Sequence, residues 1–282
     1  MVATGVRVPG TALAEAVASR MLCAAALAEE CGDEPRLVAA YGSEVGRLVR
    51  EHMPTLAFEE GSKALPVDYR RCRATACADG SDGGLVHRSD AGLPVTAFVH
   101  VIDCRAGAAE RTEAAGSDCS GSREGALYIQ YWLYYADSAT LRGLPVVGSS
   151  GYHADDWESV QVRVRPDGGV DQRASSHGGY NHGHSAGNWG SDAGSGALRR
   201  VAEAIAGREP NGWGPETGLL LVAGGSHAGS AAGLLHGDRF TPGHRVRLVP
   251  LEPLVAAEDT RFAVTPPWLK QVWHDPEAEG TD

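Results

Sequence analysis

The segment Tyr152-His153-Ala154-Asp155-Asp156-Trp157-Glu158 concentrates three acids and one imidazole. Beyond it Val160, Val162 and Val164 alternate with Ser159, Gln161, Arg163 and Arg165, the pattern of a half-buried strand. Carried backwards, the alternation puts Asp156 and Glu158 on the apolar face and Trp157 on the other. Two residues apart on a strand, these carboxylates lie about 6–7 Å apart. Ionised acids on an inward face are costly unless something positive sits between them, and the segment holds no Lys or Arg. A divalent cation meets that need, with His153 as a further ligand. The plainer alternative is a strand start with solvated acids and an unrelated histidine.

Two Gly-rich loops carry further histidines. Residues 177–195 are too polar and Gly-rich for a core element, and a loop of that length in a compact domain is functional or disordered. It holds His177, His182 and His184; His177 directly follows an expected strand and so can be held rigidly. The loop 223–229 follows the apolar run 219–222 and presents His227 between Ser226 and Ala228. Its glycines do not continue into Lys-Ser/Thr, which argues against a phosphate-cradling loop.

These residues must be positioned by strands. Short β-like runs occupy 94–103, 127–135, 158–165, 169–176, 219–223 and 245–251, with turn signals such as Pro166-Asp167-Gly168-Gly169 between them. Residues 11–30 and 34–52 read as helices. In the second, Leu37, Val38, Tyr41, Val45, Leu48 and Val49 recur at helical spacing behind Asp33-Glu34-Pro35. One internal helix is expected at 197–206, closed by Gly207 and Pro210. The fold expected is mainly β: an antiparallel β-sandwich with one inserted helix and an N-terminal helical segment. The expected division is a helical segment at 1–53, a metal-binding sandwich at 54–275 and a flexible tail at 276–282. No internal repeat is present.

Composition narrows the function. A chain of 282 residues with 43% hydrophobic residues can bury a substantial core. The net charge of −11 excludes sequence-independent nucleic-acid binding, which needs a basic face to displace counterions. The longest apolar run, 21–28, is far short of the ~20 residues a membrane helix needs. The preceding stretch carries only Arg7 and Arg20, too weakly basic for a clear signal peptide.

The six cysteines are Cys23, Cys31, Cys72, Cys77, Cys104 and Cys119. Zinc sites use closely spaced pairs, and here Cys72 and Cys77 have no second pair to join. Disulfides Cys72–Cys77 and Cys104–Cys119 are expected, implying an oxidising compartment and a secreted or cell-envelope protein. Cys23 and Cys31 lie in an expected helix, where eight residues span about 12 Å, too far for a bridge without a turn.

The run Tyr131-Trp132-Leu133-Tyr134-Tyr135-Ala136-Asp137, followed by Gly151-Tyr152-His153-Ala154-Asp155-Asp156-Trp157-Glu158, resembles the signature of the necrosis- and ethylene-inducing peptide-like proteins. That family has a Trp-Tyr strand ending in Asp and then a Gly-His-Arg-His-Asp-Trp-Glu heptapeptide. The chain is also similar to bacterial and fungal relatives of vacuolar-protein-sorting type. These show His-x-x-Asp-Trp-Glu, Ser-x-His-Gly and Gly-Ser-His-Ala segments, which correspond here to His153 to Glu158, Ser176-His177-Gly178 and Gly225-Ser226-His227-Ala228. The likeness covers roughly residues 125–230. It implies a β-sandwich holding a divalent cation through Asp137, His153, Asp156 and Glu158, with Asp137 contributed by the resemblance alone. Ala154 and Asp155 depart from the family's Arg and His. The additional carboxylate favours a hard cation, Ca²⁺ or Mg²⁺, over Zn²⁺, and the departure puts transfer of the family's plant-sphingolipid toxicity in question.

Three functions fit these features. In the first, the cation organises a pocket that binds a carbohydrate or lipid headgroup at a cell surface, with peripheral membrane contact, and Tyr152, Tyr180 and Trp189 stack on a sugar face. In the second, the protein is a metal-dependent hydrolase of an ester or phosphate, with His177 or His227 as catalytic acid or base. No Gly-x-Ser-x-Gly nucleophile motif accompanies them. In the third, the metal is purely structural.

Overall fold

The long strand at the centre of the molecule is dictated by an unusual run of aromatic and aliphatic residues. From Leu127 to Tyr135 every side chain is buried, so the strand is covered on both faces. In the computed structural model, which describes residues 33–60, 62, 64–75, 92–139, 152–176, 179–182, 210–231, 240–242, 245–252 and 262–279, the chain is mainly β. It divides into two units, Met1–Glu51 and His52–Asp282.

In the first unit a helix, α1, runs Asp33–Glu51, but Gly42 adopts φ 81° and ψ 166° and breaks it. Only glycine reaches that backbone region readily. A Cβ on Gly46 would come within 3.2 Å of the Leu37 backbone, so the two halves fold back on each other. This corrects the single continuous stripe expected there: Val38 ends up exposed. The expected helix at 11–30 lies outside the described residues.

In the second unit the strands are β1 Thr55–Glu59, β2 Thr96–Asp103, β3 Leu127–Ala139, β4 Tyr152–Val164, β5 Val170–Ser176, β6 Gly179–Asn181, β7 Gly214–Pro215, β8 Leu219–Val222, β9 Gly229–Ser230, β10 Phe240–Pro242 and β11 Arg247–Pro250. The larger sheet has the order β11-β2-β3-β4-β5-β6, with β7 also pairing with β5; the smaller has the order β10-β1-β8-β9. The β2 to β6 run is antiparallel, as expected. Two pairings, β1 with β8 and β11 with β2, are parallel. Parallel neighbours need long connections, which local alternation does not register. The expected helix at 197–206 lies outside the described residues, while short helices α2 (Tyr69–Thr75) and α3 (Ala109–Ala114) were not anticipated.

Each face of the large sheet has its own cover. Tyr134, Trp132 and Trp157 pack with Tyr69 and Cys72 of α2 and with Trp268, Val272 and Trp273 of the C-terminal segment. On the other face β9 approaches closely: a Cβ on Gly229 would lie 3.0 Å from the Ala174 Cβ. The C-terminal residues expected to be a flexible tail from 276 are instead packed through Glu279. Glu277 accepts hydrogen bonds from the Tyr128 hydroxyl (2.7 Å), the Trp213 indole (2.8 Å) and Arg163 (3.1 Å). Cys104 and Cys119 form the expected disulfide, tying the end of β2 to the segment before β3. Cys72 is also disulfide-bonded, its partner lying outside the described residues, as do Cys23 and Cys31. No helix among the described residues is long and apolar enough to cross a membrane.

Candidate functional site

The register of β3 against β4 sets which side chains meet. Tyr135 stands opposite Asp156, Leu133 opposite Glu158, Asp137 opposite Ala154 and Ser138 opposite His153. Directly opposed residues share a face, so Asp156 and Glu158 lie on the same face as Leu133 and Tyr135. Glu158 accepts a hydrogen bond from the Ser175 hydroxyl of β5, while Asp137 is fully buried.

Between these positions the ladder is interrupted at Asp155, a non-glycine residue at φ 55°. Its carboxylate accepts the Tyr134 hydroxyl at 2.7 Å and the Ala263 amide at 2.8 Å. Asp155 therefore pins the C-terminal segment to the aromatic face. This corrects the expectation that it adds charge to the cation site. Its carbonyl accepts Nδ1–H of His153 at 2.8 Å, which leaves His153 Nε2 as the ring's lone-pair atom.

His227 closes the site from the smaller sheet. The turn after β8 is held by the Gly224 amide on Glu59 (2.6 Å), by Ser138 on the Gly225 carbonyl (3.3 Å) and by Ala223 on the Ala228 carbonyl (3.0 Å). His227 itself sits at φ 56° and is 2% exposed. Its ring stacks on Tyr135, centroids 3.8 Å apart and planes 6° apart. Its Nδ1 lies 2.8 Å from Asp156 Oδ2; a carboxylate only accepts, so Nδ1–H donates. Burial first, then the charges of Glu158 and Asp156, hold the Tyr135 phenol well above the usual tyrosine range. Tyr135 was missed from sequence, although it precedes Asp137 by two residues on the same strand.

The expected ligand platform is different. Tyr180 is buried, with the Arg173 guanidinium 3.9 Å from its ring centroid. Its hydroxyl accepts the Gln161 amide at 2.8 Å and lies 3.0 Å from the Ser159 hydroxyl. Burial pushes this phenol up to about 12 despite Arg173. Tyr180 is thus part of the interior and not a surface for a sugar. The side chain of Tyr152 and all of His177 and Trp189 lie outside the described residues.

The structure therefore brings Asp156, Glu158, Tyr135 and His227 together; Asp137 shares the strand face of Tyr135, whereas His153, opposite Ser138, takes the alternate position on β4. Among the described residues, no group of three or more His, Cys, Asp or Glu side chains is arranged as a preformed metal cage. Carboxylates, and an imidazole whose Nδ1 is already committed to a carbonyl, are the donor types that a hard cation takes. No protein-family model, no curated protein and no solved structure matches the chain.

Proposed function

We propose that this is an exported, necrosis-inducing-like β-sandwich protein that binds a divalent cation, Ca²⁺ or Mg²⁺, and through it a sugar or lipid headgroup at a cell surface. Asp137, His153, Asp156 and Glu158 would hold the cation, which would supply positive charge and exchangeable coordination positions for ligand oxygens. The observation that carries this reading is the acidic end of one sheet face, where Asp156 and Glu158 share a face with the buried Tyr135. Two features lend support. The β9 strand of the small sheet lies against β5 of the large one, as the layers of a sandwich do. The Cys104–Cys119 disulfide suits an oxidising compartment.

Calorimetric titration with Ca²⁺ and Mg²⁺ tests this directly. The wild type is expected to bind one of them, and Glu158→Gln or Asp156→Asn to weaken it by about tenfold or more. An absence of heat and of thermal stabilisation with either cation would overturn it.

The hydrogen bond between His227 and Asp156 favours one second reading, metal-dependent hydrolysis of an ester or phosphate, because it holds an imidazole beside the same carboxylates. Turnover of p-nitrophenyl acetate or p-nitrophenyl phosphate that is lost in His227→Ala separates an enzyme from a binder.

A further inference from the structure

We infer that Tyr128, Arg163, Arg173, Asn211 and Trp213 form a recognition site for an acidic peptide, which the chain keeps closed by filling it with its own residues Asp275–Glu277. The site lies at the Val164 end of β4, away from Asp156 and Glu158, and does not depend on the cation reading.

The chain ends in Asp275-Pro276-Glu277-Ala278-Glu279-Gly280-Thr281-Asp282, with four acids in eight residues. Within Asp275–Ala278 the segment pairs its own amides. The Glu277 amide donates to the Asp275 carboxylate at 2.9 Å, and the Ala278 amide to the Asp275 carbonyl at 3.0 Å. It therefore presents acceptors to the body beneath it, and the body answers with donors. Arg123 Nε reaches the Asp275 carboxylate at 2.8 Å, and Arg173 Nη2 the Pro276 carbonyl at 2.7 Å. Asn211 Nδ2 reaches the Glu277 carbonyl at 2.7 Å. The Glu277 carboxylate receives the Tyr128 hydroxyl, the Trp213 indole and Arg163. In all six contacts the body donates and the segment accepts. Side chain and main chain are both read, as in the binding of a peptide ligand.

The donors are set without help from the segment. Both guanidinium edges of Arg163 toward Asp171, Nε and Nη2, are engaged by that carboxylate. Arg173 is held by Gln161 through Nε and Nη2 and by the Asn211 carbonyl through Nη1. Both guanidinium carbons lie over the Trp213 ring, 4.8 and 4.5 Å from its centroid, and Tyr128 packs against the same indole. A constellation fixed by its own neighbours keeps its geometry when the occupant leaves. The occupant can leave. It stands at the end of the chain and takes no part in the ladders of β3, β4 and β5. Along it the half-buried Asp275, Glu277 and Glu279 alternate with the buried Pro276 and Ala278, so it rests in a surface groove and is not threaded through the interior. A tethered occupant competes at an effective concentration of about a millimolar, which closes the groove to dilute ligands.

The test uses full-length chains and a fluorescent peptide of residues 274–282, read by anisotropy. Wild type should bind it only towards millimolar concentrations. Glu277→Ala cripples the tethered competitor and leaves the groove intact, so it should bind the peptide at least about tenfold tighter than wild type. The same peptide carrying Glu277→Gln should bind that variant about tenfold or more weakly. Adding Tyr128→Phe to the Glu277→Ala chain should also weaken the intact peptide. Saturating peptide should raise the melting temperature of Glu277→Ala and not that of wild type. Where Glu277→Ala does not fold, Glu277→Gln, which keeps the shape of the side chain, takes its place in every arm. Equal binding of the two peptides, or equal binding by wild type and variant, would overturn the inference. So would a folded variant that takes up no peptide. If both variants unfold and the peptide restores neither, the segment is part of the core and the inference falls as well.

Discussion

The two ends of β4 bury charge in opposite ways. At the end near Val164, Arg163 meets Asp171 at 2.8 Å and Glu277 at 3.1 Å. Beside it the fully buried Arg173 gives its protons to Gln161, to the Asn211 carbonyl (2.9 Å) and to the Pro276 carbonyl (2.7 Å). Its guanidinium lies between Tyr180 and Trp213. Every guanidinium nitrogen of Arg163 and Arg173 has a partner. At the other end, Asp156 meets a histidine, and the outer nitrogen of that histidine and the neighbouring phenol have none among the described residues. A buried network whose members are all paired serves to lock a core, whereas an incomplete one calls for an explanation. The contrast sets a fully paired end against an incompletely paired one on the same sheet.

The largest effect should come from removing the cover of the satisfied end. Deleting residues 276–282 removes Glu277 and the Pro276 carbonyl, leaving Arg163 and Arg173 underpaired in the interior. Stability in urea should fall by about 3–5 kcal/mol. A midpoint unchanged from the full chain would show that the end of the chain is a tail after all, and the comparison would lose one side.

Asp155 should follow. Replacing it with Ala takes away the acceptors of the Tyr134 hydroxyl and the Ala263 amide and places a less tolerant residue at φ 55°. A loss of about 2–3 kcal/mol is expected, with Ca²⁺ affinity unchanged. A large loss of cation binding would instead move Asp155 from the scaffold to the site.

Acid should loosen the same C-terminal cover. His100 stacks on Trp273 at 3.6 Å and hydrogen-bonds the Trp273 carbonyl at 3.1 Å. Burial, with His274 adding to it, lowers its pKa from 6.5 to about 3. The unfolded chain therefore binds the extra proton between those values and the folded chain does not. The stability contributed by neutral His100 is complete above about 6.5 and is lost as the pH falls towards about 3. His100→Gln should flatten the pH dependence of the urea midpoint across that window; an unaltered slope would remove His100 as its source.

Much of this was legible in the chain. The period of two around Val160, Val162 and Val164 carried Asp156 and Glu158 to one face, and the ladder with β3 keeps them there. The runs that became β2, β3, β5, β8 and β11 announced themselves through apolar content and flanking turns. What escaped depends on contacts distant in sequence. Nothing near Asp155 indicates that Ala263 will reach it, and nothing near Tyr180 indicates that Arg173 will cover its ring. The parallel partners β1 and β8 are separated by more than 150 residues, so no local pattern could pair them. The break at Gly42 was overlooked because the apolar spacing continues across it.

The smallest effect offers the sharpest comparison, because it uses the same substitution at both ends. Tyr128 and Tyr135 are both fully buried on β3, and each offers one phenolic hydroxyl. That of Tyr128 donates to Glu277 at 2.7 Å, whereas that of Tyr135 has no partner among the described residues. Tyr128→Phe leaves a buried carboxylate short of a donor and should cost about 1–3 kcal/mol. Tyr135→Phe removes a polar atom that gains nothing from the fold, and should leave stability within about 0.5 kcal/mol or raise it slightly. Paired urea titrations of the two variants measure the difference with shape held nearly constant. Should Tyr135→Phe prove as damaging as Tyr128→Phe, its hydroxyl is satisfied within the resting protein, by an internal water, and the acidic end of β4 is as closed as the other. Should it be neutral, the hydroxyl contributes nothing to the core, and the two ends of β4 differ in how completely they pair what they bury.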